Sequence, residues 1–355
     1  MDKRVRFALI GCGSIIRKHL ESLKRINSAV VTAVCDIDKR AARRIADEYS
    51  LPYYCDPHEM AIREQIDVFS VLTPSGTHAQ IIMDLVKYHR HFVVEKPMAL
   101  KIEDADRIIH ACDEEGLKIF VVQQNRFNLP IRKLKEAIIK GRFGKMVLGT
   151  VRVRWCRDQS YYDANPWRGS WAQDGGVFAN QASHHIDMLV WMMGDVESVM
   201  TMTGTRLANI EAEDTGVAII RFYNGAFGII EATTATRPRD LEGSISILGE
   251  KGSVEIGGFF MNDLKTWQFQ DPLPEDEEIR ERWCKNPDVF AWNHTEYLKD
   301  VILSLQTNKR GLVEGLEGRK SLEMINALYE SAETGREVSL RFRPRFCKLG
   351  QDNVL

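Results

Sequence analysis

The sequence predicts an α/β fold: a doubly wound parallel sheet followed by an α+β domain built on a large, mostly antiparallel sheet. Short apolar runs alternate with helical segments through the first third of the chain. The first two of these runs flank a glycine turn and end in an acid. Beyond Val147 a two-residue alternation broken by hairpin turns takes over.

Val5 to Ile10 is a strand-length apolar run. Gly11-Cys12-Gly13 follows, then a helical segment from Ser14 to Ile26, then a second apolar run, Ala29 to Cys35, that stops at Asp36. Strand, glycine turn, helix, strand, acid is the order of a dinucleotide-binding Rossmann unit. Gly11 permits the tight turn. Gly13 has no Cβ, so a pyrophosphate can approach the backbone, and the amides opening the helix at Ser14 and Ile15 face the anion together with the helix dipole. Asp36, 25 residues after Gly11, is placed to bind a ribose diol. Ile16 stands where the fingerprint has its third glycine or alanine, which predicts a slightly wider helix–strand crossing.

A charged helix follows from Lys39 to Tyr49, then a short run at Pro52–Tyr54 and a helix near Glu59–Arg63. Val68 to Leu72 is continuously apolar, as expected of a parallel strand covered on both faces. It ends in Thr73-Pro74-Ser75-Gly76-Thr77-His78, and a helix continues to Tyr88. Phe92–Val94 is the next strand, stopping at Glu95-Lys96-Pro97. An amphipathic helix, Glu103 to Glu115, is closed by Gly116, and Lys118–Val122 leads into Gln123-Gln124-Asn125-Arg126. These elements assign residues 1–124 to a cofactor lobe and 125–355 to a substrate and oligomerisation lobe.

In that second lobe, Val151, Val153 and Trp155 alternate with Arg152 and Arg154. Further β runs are expected at Val196–Thr205, Gly216–Phe222, Ala226–Thr233, Ser244–Leu248 and Ser253–Ile256, with turns at Tyr223-Asn224-Gly225 and Gly249–Gly252. One helix, about Asn180–Met193, is inserted early, and two more, about Trp292–Gln306 and Gly318–Glu333, close the pattern. Leu273–Arg282 is so charged that it reads as a mobile surface loop.

Composition narrows the function. Lys plus Arg number 48 against 50 Asp plus Glu, which gives no case for a nucleic-acid or membrane surface. No apolar run approaches the ~20 residues that span a bilayer. Met1 to Arg4 lead directly into a strand, leaving no room for a signal peptide. Seven scattered cysteines without a C-x-x-C read as reduced thiols and not as a zinc site, so a cytoplasmic protein is expected.

In an open α/β sheet, ligands sit beyond the carboxyl ends of the strands. Lys96 stands at such an end and precedes a proline, so it is no helix-surface lysine. There it can donate to a substrate hydroxyl and stabilise an alkoxide; the alternative is a solvated strand-end lysine. Pro97 is a candidate for a cis bond. The segment from Gly175 to His185 is the second candidate. Asn180 suits a helix N-cap, and Gln181 and His185 share a helix face. A histidine can accept a hydroxyl proton near neutral pH; otherwise His184 and His185 are ordinary helix polar residues. No third ligand at a recognisable spacing supports a metal. Arg157, Tyr161, Trp167 and Arg168 supply guanidinium groups for phosphate or carboxylate and rings for a sugar or base. Arg152 and Arg154 fit a solvated sheet face.

The glycine turn, Glu95-Lys96-Pro97 and the Gly-Gly-led helix bearing His185 together resemble the Gfo/Idh/MocA oxidoreductases over essentially the whole chain. Gln123–Asn128, Arg157–Tyr162, Trp167–Trp171 and Asn180–His185 are similar to the UDP-N-acetylglucosaminuronate 3-dehydrogenases of the WlbA/WbpB type. The resemblance implies NAD as cofactor, an open-faced sheet, and Lys96 and His185 as catalytic groups. Gln181 stands where many members carry an aspartate, so no Asp-assisted relay is implied. Cofactor contacts are expected at Gly11, Gly13, Ser14, Ile15, Asp36, Thr73, Pro74, Ser75, His78, Glu95, Lys96, Gln124, Trp167 and Arg168. Substrate contacts are expected at Lys96, Arg157, Tyr161, Arg168, Asn180, Gln181 and His185.

The expected reaction is oxidation of the 3-hydroxyl of a UDP-linked N-acetylhexosamine or its uronate. The resemblance further implies NADH reoxidation by a 2-oxoacid and a sheet-to-sheet homo-tetramer. The rival of the same fold is a dehydrogenase of a free polyol or sugar. A non-catalytic NAD sensor would tolerate loss of Lys96, and a methyltransferase would leave Lys96 and the second sheet without a role.

Overall fold

The computed structural model describes residues 4–340. The first lobe runs β1 (Val5–Ile10), α1 (Ile16–Lys24), β2 (Ala29–Cys35), α2 (Lys39–Tyr49), β3 (Tyr53–Tyr54), α3 (Pro57–Arg63), β4 (Val68–Val71), α4 (His78–Leu85), β5 (His91–Val94), α5 (Ile102–Glu114) and β6 (Ile119–Val121). Its strands pair in parallel in the order β3-β2-β1-β4-β5-β6, the doubly wound sheet expected. The strand order reverses between β1 and β4. The Gly11 turn and the Thr73 loop therefore face each other there, and an open sheet binds its ligand at such a switch point.

The chain continues with α6 (Leu129–Ile139), β7 (Met146–Arg154), α7 (Gln159–Asp163), α8 (Ser183–Met193), β8 (Val196–Gly204), β9 (Thr215–Phe222), β10 (Phe227–Thr233), β11 (Glu242–Gly249), β12 (Gly252–Gly257) and β13 (Asp263–Phe269). It closes with α9 (Glu275–Arg282), α10 (Trp292–Thr307), α11 (Gly315–Thr334) and β14 (Val338–Ser339). Among the described residues, eight strands form the second sheet in the order β13-β12-β11-β7-β10-β9-β8-β14. β7 and β10 are parallel, and the other pairs are antiparallel.

Three apolar clusters form the interior. One packs α8 onto the inner face of the second sheet through Phe178, Ile186, Leu189, Ile220 and Ile230. The other two lie on opposite faces of the parallel sheet, and each takes side chains from the end of the chain. Tyr297, Leu298, Val301 and Ile302 of α10 join Phe7, Leu9, Ile16 and Leu23. Val313 and Leu322 join the α5 side. The outer face of the second sheet is different. Met202 (73 % exposed), Ile219 (61 %), Phe227 (53 %), Val217, Met200 and Ile229 leave an uncovered apolar patch on β8, β9 and β10. Beside it Arg154 pairs with Glu231 at 2.6 and 2.8 Å, and Arg152 with Glu242 at 3.4 Å, so both arginines belong to the sheet face as expected.

The structure corrects two expectations and adds elements. α6 and β13 were not foreseen. Residues 273–282 are not a mobile loop: they hold α9, with Ile279 and Asp276 buried. The Asp276 carboxylate accepts Trp267 Nε1 at 2.7 Å, Arg142 Nη2 at 2.8 Å and Leu273 N, just ahead of α9, at 2.7 Å. A single anchored acid thus fixes a segment whose composition is otherwise solvent-facing. Asn180 is not an N-cap. It lies in a π-helical turn, Val177–Gln181, ahead of α8, and α8 begins after Ala182 with no side-chain cap.

Candidate active site

The site is built where the carboxyl ends of β1, β4 and β5 meet the turn before α8. Gly11 has φ +103°, and a Cβ there would stand 2.7 Å from the Leu72 carbonyl, so the β1 turn can pass β4 only as glycine. Gly13 differs: an added Cβ meets no atom within 4 Å and would project into open space. α1 starts with no side-chain cap, leaving its first amides available to an anion. Asp36 accepts Cys12 N at 2.7 Å and Asp38 N at 2.8 Å, which locks its carboxylate beside the glycine turn. A glycine turn open to the outside, an uncapped helix start and a fixed carboxylate together fit a dinucleotide. Gly13→Val is expected to weaken NADH binding by about 10-fold or more with little change in stability. Gly11→Ala is expected to cost about 2 kcal/mol of stability. Fluorescence titration with NADH and denaturant unfolding separate the two effects.

The Lys96–Pro97 bond is cis. Lys96 Nζ donates to the Asn180 carbonyl at 2.7 Å, which joins the end of β5 to the π turn. Burial pulls the lysine below its usual value, and the charges of Glu95 and Asp174 oppose that pull. Asp174 is buried and was not singled out in the sequence. It accepts Gly169 N at 2.9 Å and the Asn180 side-chain amide. Burial pushes its carboxyl up, against the Gly169 and Asn180 hydrogen bonds and the positive charges of Lys96 and Arg168. From Asn180 the network continues outward. Gln181 Nε2 donates to Asn180 Oδ1 at 3.0 Å and to Tyr161 Oη at 2.9 Å, and the Arg168 guanidinium lies over the Tyr161 ring, 4.0 Å from its centroid. Trp167 flanks Arg168 at 5.6 Å. Arg157 sits among Trp155, Tyr161 and Phe259 and bonds Asp240 at 3.2 Å.

The histidine on this side is His184, not His185. Neighbouring helix residues point about 100° apart, so only one of the pair can face the cleft. His184 Nδ1 meets Gln123 Oε1 at 2.9 Å, and its Nε2 meets Gln124 Nε2 at 3.1 Å. An amide oxygen only accepts, so Nδ1 carries the proton and Nε2 keeps a lone pair. Burial and then the nearby Lys96 charge hold His184 well below its ordinary value. His185 instead has no exposure, has no hydrogen-bond partner at either ring nitrogen among the described residues, and packs edge-to-face on Trp155 at 5.6 Å. His184 lies three residues before Asp187, and Asp187 pairs with Arg126 at 2.7 Å, in the same segment as Gln123 and Gln124.

Burial alone lowers His185 to about 3. Its unfolded value is ~6.5, so between these values the unfolded chain binds the extra proton. The stability that the neutral ring supports is complete above about pH 6.5 and is lost as pH falls toward the folded value. His185→Phe keeps the ring contact without the titration. Its denaturation midpoint is expected to drop less than that of the wild type between about pH 7 and pH 5; an equal drop counts against this account.

Three expected cofactor residues also brace the site. Both His78 ring nitrogens are engaged, with the Thr73 carbonyl at 2.8 Å and the Pro97 carbonyl at 2.9 Å, so His78 ties two site loops together without facing the cleft. Thr73 Oγ1 bonds Thr77 Oγ1 at 2.7 Å. Glu95 turns away toward α1, where Oε1 meets His19 Nε2 at 2.9 Å and Oε2 accepts Lys96 N at 3.2 Å. Burial raises the Glu95 carboxyl, but the His19 hydrogen bond and charge and the charges of His294 and Lys96 outweigh it and hold the group at about 2. His19, Glu95 and His294 bring ligand-type atoms within 4.8 Å of one another, a cluster from three elements that spacing along the chain did not suggest.

A dinucleotide-type glycine turn at the end of β1, with Lys96 at the end of β5 bonded to the turn that leads into His184, is the arrangement of a nicotinamide-dependent dehydrogenase. The sequence matches the model of the oxidoreductase family NAD-binding Rossmann fold over residues 5–123, and that of the family's C-terminal alpha/beta domain over residues 135–340. The chain belongs to the Gfo/Idh/MocA oxidoreductase family and is an NAD-dependent oxidoreductase. It is 41 % identical to the WlbA dehydrogenase from Bordetella pertussis, solved in complex with NADH and UDP-GlcNAcA; the match covers 97 % of this chain and 99 % of that one, with a TM-score of 0.93. The Chromobacterium violaceum WlbA dehydrogenase, solved with the same two ligands, is 40 % identical over 97 % of this chain and 98 % of its own, with a TM-score of 0.90. A myo-inositol 2-dehydrogenase from Thermotoga maritima is 26 % identical, covering 95 % of this chain and 98 % of its own.

Proposed function

We propose that this enzyme oxidises the 3-hydroxyl of UDP-N-acetylglucosaminuronate or a close relative, with residues 1–124 holding NAD and residues 125–355 the sugar. One observation carries the reading: Lys96 Nζ, at the end of β5, reaches the Asn180 carbonyl at 2.7 Å, one turn ahead of His184. The identity of 41 % to a WlbA dehydrogenase crystallised with UDP-GlcNAcA supports the sugar class.

NAD, which the Gly11–Gly13 turn, the start of α1 and Asp36 would hold, would supply the hydride acceptor for oxidation of the carbinol carbon to a ketone. The protein manages the proton and the charge. Lys96 donates to the hydroxyl oxygen and steadies the developing alkoxide. His184 Nε2 accepts the hydroxyl proton once the Gln124 amide yields its place. Asp174, close to Lys96 and bonded to Asn180, favours the ammonium form. Gln181 and Tyr161 offer hydrogen bonds to the sugar, and Arg157 and Arg168 supply charge for its carboxylate or for the pyrophosphate.

We assign the apolar patch on β8, β9 and β10 to a second copy of the chain, in a tetramer by sheet-to-sheet contact, and the enzyme to cell-surface polysaccharide biosynthesis in the cytoplasm. Among the described residues no helix is long and apolar enough to cross a membrane. The test is to incubate the purified protein with NAD and UDP-N-acetylglucosaminuronate, then add 2-oxoglutarate, with light scattering for assembly. NADH absorbance should rise and then decay. Turnover of inositol with indifference to UDP-sugars would replace this reading with a polyol dehydrogenase.

A further inference from the structure

The π turn ahead of α8 is held from outside. Gly176 N donates to Tyr329 Oη at 3.1 Å, Val177 N to the Glu213 carbonyl at 2.9 Å, Phe178 N to Glu213 Oε1 at 3.0 Å and Ala179 N to Tyr329 Oη at 3.3 Å. Tyr329, from α11, donates its own hydroxyl proton to Glu213 Oε1 at 3.0 Å. Four successive amides of one turn therefore end on two side chains and one carbonyl contributed from outside it. Helix starts ordinarily leave such amides to water or to a local cap. Immediately after them comes Asn180, whose carbonyl receives both Lys96 Nζ at 2.7 Å and Ser183 Oγ at 3.1 Å.

We propose that Glu213 and Tyr329 form a clamp that sets the Asn180 carbonyl and through it the Lys96 ammonium, which makes Glu213 a positioning residue for the dehydrogenase reaction. The inference rests on the role assigned to Lys96 above. It explains the Gly175-Gly176 pair. A Cβ at 176 would collide with the Glu213 carboxyl, and one at Gly175, with φ +80°, would meet Ala179 Cβ at 2.8 Å and Tyr329 Oη at 3.3 Å. It also gives the turn its unusual form. π turns are rare and cluster at functional sites, and this one closes with Ala182 N on the Val177 carbonyl at 2.8 Å. Glu213 has a buried Oε2 with no partner among the described residues, which marks the carboxyl as held by what Oε1 does. Burial pushes that carboxyl up to about 7, and the titratable groups that face it are Tyr329 and the neighbouring Asp214.

The test compares Glu213→Ala, Glu213→Gln and Tyr329→Phe in the full-length holoenzyme. Glu213→Ala should lower kcat about 100-fold while NADH affinity changes less than about threefold, because Lys96 is misplaced and the cofactor turn is untouched. The alkaline limb of its pH–rate profile should move to lower pH, since the ammonium loses a fixed acceptor. Glu213→Gln keeps the Oε1 acceptor and should recover kcat to within about threefold of the wild type. Tyr329→Phe, which removes one hydroxyl without changing volume, should lower kcat about tenfold, and it decides the matter if Glu213→Ala does not fold. Amides 176–179 should exchange faster in Tyr329→Phe and Glu213→Ala than in Glu213→Gln. A folded Glu213→Ala with wild-type kcat and pH profile, or a Glu213→Gln as impaired as Glu213→Ala with its amides still protected, overturns the clamp. A wild-type protein without turnover of UDP-N-acetylglucosaminuronate removes the proposed function instead, and the exchange comparison still decides the clamp.

Discussion

Lys96→Met is expected to lower kcat about 1,000-fold while NADH still binds. Methionine retains the apolar stem, so the end of β5 keeps its packing; what is lost is the ammonium that reaches Asn180 at 2.7 Å. Two consequences add up. The hydroxyl oxygen loses the donor that stabilises its negative charge in a partly desolvated site, where such a donor is worth far more than in water. The Asn180 carbonyl also loses its charged partner, which loosens the link between the lobes. Steady-state kinetics and NADH fluorescence check both halves of the expectation. A variant keeping more than about a tenth of the activity would show that another group bears the charge.

Asp187→Ala is expected to destabilise the protein by about 3–5 kcal/mol. Asp187 is fully buried; it takes Arg126 in a fork at 2.7 and 2.9 Å and Ser321 Oγ at 2.5 Å. Arg126 is buried as well, and its remaining acid is Glu317 at 3.2 Å. Removing Asp187 therefore strands a guanidinium out of water with half its partners, and that penalty sets the magnitude. Arg126 follows the Gln123–Gln124 pair that orients His184, so the same variant should also lose activity below its melting range. Urea unfolding measures the first effect. A loss under about 1 kcal/mol would mean that water reaches Arg126 and repairs the site. Arg126→Met combined with Asp187→Leu should recover most of the stability without restoring activity.

The parallel sheet was legible because its strands are short, continuously apolar and punctuated by turn residues. β2 and α2 fall at the residues expected, Ala29–Cys35 and Lys39–Tyr49. α6 also carried its signal, since Ile131, Leu134 and Ala137 recur on one face and are buried. α9 did not: its helix is fixed by Asp276 meeting Arg142 and Trp267 across the fold, which no local pattern encodes. The site divides in the same way. Lys96 and the glycine turn announce themselves through their place at strand ends. The choice between His184 and His185 turns on which helix face meets Gln123 and Gln124, and the service of Asp174 and Glu213 depends on loops meeting from distant parts of the chain. Those are tertiary facts, and spacing within one segment cannot supply them.

α10 and α11 give the molecule a temporal property. Tyr297, Leu298, Val301 and Ile302 cover one face of the parallel sheet, and Val313 and Leu322 extend the opposite face. On the ribosome, the nucleotide-binding half is made first, yet its oily surface stays bare until the closing helices emerge. The two halves are therefore completed together, since the parallel sheet keeps apolar surface bare until α10 and α11 are in place.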